Sequence, residues 1–250
     1  MKRSGTAPAG PPAPSRAAYR RLSVEERRAQ LIATALGLLA HRAPEDVSLD
    51  DVAAAASVSR PLVYRYFPGG KPQLYEAALR SAADDLQLCF AEPQSGPATV
   101  RLAAALDRYL AFVDEHDAGF AALLQGGSVA ETSRTGAIVD GVRRGAAAQV
   151  LKHLQVPDPG PRLRLMVRTW LAAVEAASLI WLDEGKRPPA AELRDWLVDH
   201  FLALLVATAA SDPQTRTVAE AVFALERPDG AAGRLVRGVT PVVAGAEHLR

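Results

Sequence analysis

Two capped helix starts lie so close together that they dictate how the surrounding chain must fold. Ser48 is followed three residues later by Asp51, and Ser59 opens a segment with Pro61 in its first turn. A side-chain oxygen at a helix start satisfies a backbone N–H that has no intrahelical partner, and proline is harmless there because its missing N–H would be unpaired anyway. The segments so delimited, Ser48 to Ala56 and Ser59 to Phe67, are too short to be stable alone. They need a neighbour, and the sequence supplies one upstream. Ser23 with Glu26 forms a capping box, then Leu31, Ile32, Ala35, Leu38 and Leu39 share a helix face until Pro44 ends it near Arg42.

The rest of the chain follows the same period. Pro68-Gly69-Gly70 breaks the third helix, and a long fourth is expected from Pro72 to Phe90, with a loop over Pro93 to Pro97. Further helices are expected over Val100 to Glu115, Ala118 to Gln125, Glu131 to Leu154, Pro161 to Glu184, Ala190 to Ala210 and Thr215 to Leu225. Alanine and leucine dominate, β-branched alternation is scarce, and no Asn-Gly or Asp-Gly hairpin signal separates apolar runs. The fold class is therefore all-α. Pro and Gly make residues 1–19 a disordered arm, and the loss of periodicity from Arg227 onward assigns 227–250 to a disordered tail. Between them, the expected domains are 20–71 and 72–226.

Two short helices joined by a tight turn match the helix-turn-helix pattern, whose second helix lies in the DNA major groove. Val52, Ala53, Val58, Leu62, Val63 and Phe67 are spaced to face one another and the first helix. Ser59, Arg60, Pro61, Tyr64, Arg65 and Tyr66 remain on the outer side and at the start of the second helix. These residue types bind phosphates and base edges.

The stretch Arg27 to Leu79, and within it SLDDVAAAASVSRPLVYRYF, closely resembles the amino-terminal DNA-binding domain of TetR-type transcriptional regulators. The remainder, helical and alanine-rich after a long connecting helix, is similar to the family's ligand-binding and dimerisation domain. The resemblance implies that Ser48 contacts a phosphate and that Arg60, Pro61, Tyr64 and Arg65 present the groove-reading surface. It also implies that Tyr66 and Lys71 clamp the DNA backbone. Three departures bear on this. Ser57 holds a turn position where the family usually has glycine, Pro61 donates no hydrogen bond, and Gly69-Gly70 lengthens the connection to Lys71 by one residue.

Beyond Val100, Leu163, Val167, Trp170, Val174, Ala177 and Trp181 form one continuous helical stripe. Most such residues are core. The resemblance implies that some line a small-molecule cavity, for which the expected set is Tyr109, Phe112, Phe120, Leu124, Met166, Trp170 and Val174. The helix from Pro161 is apolar nearly all round, so it needs partners on two sides. With the next helix it resembles the family's four-helix dimer interface, giving Glu175, Ile180, Leu197, Phe201 and Leu204 as expected contacts. Glu175 either pairs with an arginine across that interface or anchors a ligand; the pairing is the expectation.

Charge supports a division of labour. The chain's formal charge is only +1, which alone argues against nucleic acid. Yet residues 1–80 carry 12 Lys and Arg against 7 Asp and Glu, and residues 81–250 carry 17 against 21. A basic reader is thus joined to an acidic sensor. A double-stranded DNA operator, a small-molecule effector and a second copy of the chain are the expected partners, with no cofactor and no membrane. The single cysteine, Cys89, fits a reducing cytoplasm and excludes an internal disulfide, a Cys-based zinc site or an iron–sulfur cluster. No export signal is read in the Pro-rich start. The run Asp114-Glu115-His116-Asp117 reads as a solvated turn rather than a metal site, and His41, His153, His200 and His248 lack ligand spacing. With no Gly-rich phosphate loop after a strand, no HExxH and no serine elbow, an enzyme is the disfavoured class. The expected function is a ligand-responsive repressor, with an activator at the same kind of site as the alternative.

Overall fold

The protein is described by a computed structural model over residues 22–90, 96–118, 120 and 133–244. Among these residues it forms ten α-helices and no strand. The first is α1 (Val24–His41), whose capping box is present: Glu26 N–H donates to Ser23 Oγ at 3.1 Å and Ser23 N–H to Glu26 Oε2 at 2.7 Å. A single 3-10 turn, Pro44–Asp46, leads into α2 (Leu49–Ala55) and α3 (Arg60–Tyr66). Leu31, Ala35 and Leu39 of α1 bury against Val52, Ala53, Val63 and Phe67, the same faces that the spacing assigns to the core. Arg28 lies over the Phe67 ring, 5.4 Å from its centroid, and covers that core on the solvent side.

The next helix belongs to both halves of the molecule. In α4 (Gly70–Cys89), Leu74, Ala77 and Ala78 complete the amino-terminal core, while Leu86 enters the carboxy-terminal one. It starts two residues earlier than expected because Gly70 takes φ +71° and Gly69 N–H is met by Gln73 Oε1 at 2.9 Å. A left-handed residue at a helix entry favours glycine.

The carboxy-terminal body comprises α5 (Ala98–Glu115), α6 (Ser133–His153), α7 (Pro161–Asp183), α8 (Ala190–Ala209), α9 (Pro213–Ala224) and α10 (Ala231–Ala244). Trp170 of α7 is at its centre. The ring packs edge-on against Phe201 with centroids 5.1 Å apart, and its indole N–H donates to Leu197 O at 3.0 Å. The helix expected over 118–125 falls largely on residues outside those described. Among the described residues, α7 alone is long and apolar enough to cross a membrane by length and composition. Leu163, Val167, Trp170, Val174 and Trp181 are nevertheless buried in the protein core.

Two expectations are corrected. Residues 231–244 of the expected disordered tail form α10, with Ala232 buried and Leu235 packed against the core. Gly233, Gly238 and Pro241 read as helix breakers, yet the segment is strongly amphipathic, and Ala231, Ala232 and Leu235 on one face dock on the body. The segment before it is also tied down, since Thr99 N–H and Oγ at the start of α5 donate to the Glu226 carboxylate at 3.0 and 2.5 Å.

The second correction concerns Leu197 and Phe201, which are 0% and 3% exposed in the chain's own core and so offer no surface to a partner. The helix phase explains it. In α8, Leu193, Leu197, Phe201 and Leu205 form the inward stripe, while Trp196 and Val206 point outward. Leu204 is half-buried against the same core, and Ile180 is 62% exposed.

Candidate functional site

The residues expected to meet DNA gather on one surface around α3. Ser59, Arg60, Pro61, Tyr64 and Arg65 are exposed, while Tyr66 and Lys71 are half-buried at its edge. Ser59 caps α3 with its backbone in extended conformation but makes no capping bond through its side chain. Arg60 Nη1 donates to Asp50 Oδ2 at 3.0 Å, and its guanidinium lies 5.6 Å from the Tyr64 ring centroid. Its pKa is raised by the Tyr64 hydroxyl, then by the Asp50 charge. Tyr66 packs its ring partly against the helical core, and Lys71 Nζ donates to Glu45 O at 3.0 Å.

Ser48 is already occupied. Its hydroxyl donates to Asp51 Oδ2 at 2.6 Å and accepts from Asp51 N–H at 3.1 Å, while its own N–H donates to the same carboxylate at 2.8 Å. These bonds, the Ser48 hydroxyl first, hold the Asp51 carboxyl below the usual range. A phosphate contact from Ser48 therefore has to displace or share the cap. The turn before α3 carries the predicted departure, for Ser57 has φ +54°.

A second site lies inside the carboxy-terminal body. Residues of α4, α5, α6, α7 and α8, with Phe120, line a partly open cavity of about 150 Å³. Of the expected lining, Tyr109, Phe112, Phe120, Trp170 and Val174 are on its wall. Met166, one turn before Trp170 on α7, is buried in the core but not on the cavity wall, and Leu124 lies outside the described residues. The sequence reading missed the contribution of α4, where Leu79, Ala82, Ala83 and Leu86 line the cavity. Small residues on the apolar face of that connecting helix were the available signal.

Glu175 is corrected from an interface contact to a cavity residue. Arg143 of α6 grips it within the same chain, with Nε at 3.0 and 3.1 Å from its two oxygens and Nη2 at 2.8 Å from Oε2. Both side chains are on the cavity wall. At the other end of α6, Arg101 Nη2 donates to His153 O at 2.9 Å. Burial, then the charges of Arg101, Lys152 and Arg108, pull the His153 pKa down, against the Phe90 carbonyl.

The acidic run at the end of α5 does not gather a metal-binding set. Asp114 and Asp117 instead pair with Lys186, at 3.4 Å for Asp117. Among the described residues no cluster of His, Cys, Asp and Glu could hold a metal ion.

Comparison with known proteins bears on both sites. Residues 31–78 match the family described as bacterial regulatory proteins, tetR family, and residues 98–204 match the tetracyclin repressor-like carboxy-terminal domain. A tetR-family transcriptional regulator from Streptomyces coelicolor is 48% identical, with TM-score 0.85 over 89% of this chain and 100% of that one. The chain belongs to the TetR family.

As a TetR-family transcriptional regulator it has further relatives of known name. It is 28% identical over 113 residues to the transcriptional activator FasR of Mycolicibacterium smegmatis. That match covers 44% of this chain and spans about half the length of the relative, 51%. The regulator FadR of Bacillus subtilis, solved in complex with stearoyl-CoA, shares the fold at 14% identity and TM-score 0.56, over 69% of this chain and 96% of that one.

Proposed function

We propose that this TetR-family regulator is a homodimeric, cytoplasmic repressor released from a palindromic operator by a hydrophobic or amphipathic effector. One observation carries the proposal. Helix α4 contributes Leu74, Ala77 and Ala78 to the core beneath the recognition helix and Leu79, Ala82, Ala83 and Leu86 to the cavity wall. A ligand that fits the cavity in only one position of α4 selects the matching spacing of the two recognition helices. The coupling is limited by the ligand's differential affinity for the two states.

The contact roles are assigned by the same reasoning. Arg60, Tyr64 and Arg65 read the groove with apolar contact from Pro61, Ser59 and Ser48 meet phosphates, and Tyr66 and Lys71 hold the backbone. The dimer forms through α7 and α8. The most apolar stretch of α7 has mean hydropathy 1.4 yet only 33% of it is buried in the single chain, and Leu165, Ile180, Trp196 and Val206 are exposed. An apolar surface of that kind calls for a partner, and the face of Ile180 replaces that of Leu197 and Phe201 as its contact.

An activator is the second reading, favoured by the relative FasR; it uses the same protein–DNA surface and differs in promoter position. Catalysis is not part of either reading. The test is footprinting on the protein's own promoter region with duplex binding at several salt concentrations. Replacing Arg60 or Tyr64 by alanine abolishes the footprint while sedimentation still reports a dimer. Loss of the dimer in those variants, or no salt-sensitive footprint for the unaltered protein, sinks the proposal.

A further inference from the structure

The cavity beside α4 is long rather than round. Among the described residues its wall takes Leu79, Ala82, Ala83 and Leu86 from α4 and Phe90 from its end, the spacing of one helix face, and follows that face for about 16 Å of axis. On α5 the lining runs from Ala98 to Phe112, about 21 Å, and on α6 from Ile138 to His153, about 22 Å. These stripes lie side by side. Glu76 meets Arg134 at 3.6 Å near the starts of α4 and α6, and the Phe90 backbone meets His153 at their ends, so the two helices run in the same direction. Helix α5 runs against them: Arg101, near its start, donates to His153 O at 2.9 Å, and Tyr109, two turns later, lies in the field of Glu175, which Arg143 holds.

Small side chains keep this length open. Near mid-length each stripe carries an alanine, Ala83, Ala105 and Ala146, where a larger residue would divide the space in two. The volume of about 150 Å³ is close to that of a compact apolar cavity that holds one benzene. Spread along about 16 Å of wall or more, the same volume makes a slot one chain wide rather than a chamber. Polar side chains are confined to two levels of it. Arg143 and Glu175 engage each other at one, and Arg101, Gln149 and His153 gather at the other. The length between them is faced by Leu86, Leu106 and the three alanines, which offer a ligand only apolar surface.

We infer that the cavity takes an unbranched aliphatic chain laid along α4, with its polar end at the edge of the slot, and excludes a compact ring or cage of equal carbon number. This rests on reading the cavity as the effector site and names the shape of the effector. A chain so placed touches α4 over three turns, whereas a compact ligand touches it at one level.

Three alcohols test it on the full-length protein: decanol, adamantanol, which folds the same number of carbons into a cage, and hexanol. Binding is measured by calorimetry and located by the indole N–H resonance of Trp170, whose ring lines the cavity. Decanol and hexanol both move that resonance, hexanol binds roughly a hundredfold more weakly for its missing methylenes, and adamantanol binds no better than hexanol. Ala146→Leu, which sets a larger side chain at mid-length, brings decanol down to about the affinity of hexanol and leaves hexanol within about threefold. Adamantanol binding as tightly as decanol, no gain from hexanol to decanol, or no movement of the Trp170 resonance overturns the inference. So does a folded Ala146→Leu protein that keeps the decanol affinity; if that variant does not fold, the comparison of the three alcohols decides alone. The effector reading is judged separately, by release of the footprinted promoter duplex. Decanol bound at Trp170 without release leaves the chain-shaped site standing and removes its role as the effector site.

Discussion

Arg60 at the start of α3 is held by Asp50 of α2 at 3.0 Å, with its other terminal nitrogen 3.5 Å from the Tyr64 hydroxyl. The cation expected to meet DNA is therefore matched to an acid on the same surface. Both side chains are more than half exposed, at 57% and 60%, so the pair contributes little to stability. Its effect is on how Arg60 is presented, and on the field a phosphate meets.

Asp50→Asn removes that acid. Non-specific duplex binding is expected to tighten, and the slope of log affinity against log salt to steepen by about 0.9 for each guanidinium released to a phosphate. The ratio of specific to non-specific affinity falls, since an unheld Arg60 is less selective. Duplex titrations at several salt concentrations check this; unchanged or weaker non-specific binding contradicts it.

Ser57, at φ +54°, occupies the left-handed region in the turn between α2 and α3. An L-residue there crowds its Cβ against the backbone, a strain of roughly 1 kcal/mol that glycine avoids. Glycine also gains entropy in the unfolded chain, which offsets part of the benefit. Ser57→Gly is expected to raise stability by somewhat under about 1 kcal/mol, read as a higher urea midpoint at unchanged slope. A lower midpoint refutes the strain argument.

The contrast between the two halves explains what the sequence could reveal. Ser48, Asp51, Ser57 and Phe67 act within a few residues of their partners, so caps, turn and inward face of the helix-turn-helix are legible from spacing alone. Glu175 instead meets Arg143, which lies 32 residues away on another helix. Nothing local distinguishes that partner from one on a second chain. Likewise Leu197 and Trp196 are neighbours of similar apolar character, and only packing of α8 against α5 and α7 turns one inward and the other out. Helix α10 differs: its amphipathic pattern is present in the sequence, and Gly233, Gly238 and Pro241 obscure it by reading as local helix breakers.

The Arg143–Glu175 pair ties α6 to α7 on the cavity wall. Glu175 is 25% exposed and Arg143 45%, so solvent screens the pair in part and removing it costs on the order of 1 kcal/mol. Glu175→Gln and Arg143→Gln each lower stability by about that amount, and the double variant loses much less than the sum. Additive losses in urea titrations of the three variants show that the pair is not coupled.

His153 makes stability depend on pH with a defined sign. Burial holds its folded pKa below the 6.5 of the unfolded chain, helped by the neighbouring charges of Arg101, Lys152 and Arg108. Below about pH 6.5 the unfolded state therefore binds more protons than the folded one, so stability falls as pH drops from there through the folded pKa. Above pH 6.5 the contribution is fully present. Asp199 acts in the opposite sense, because burial raises its carboxyl and its protonation favours the fold at lower pH. Comparing the unaltered protein with His153→Gln removes the Asp199 contribution, which is common to both. The stability difference between them, followed by urea titration from pH 7.5 to 5.5, is expected to move steadily in favour of the glutamine variant as pH falls; parallel curves would refute the assignment.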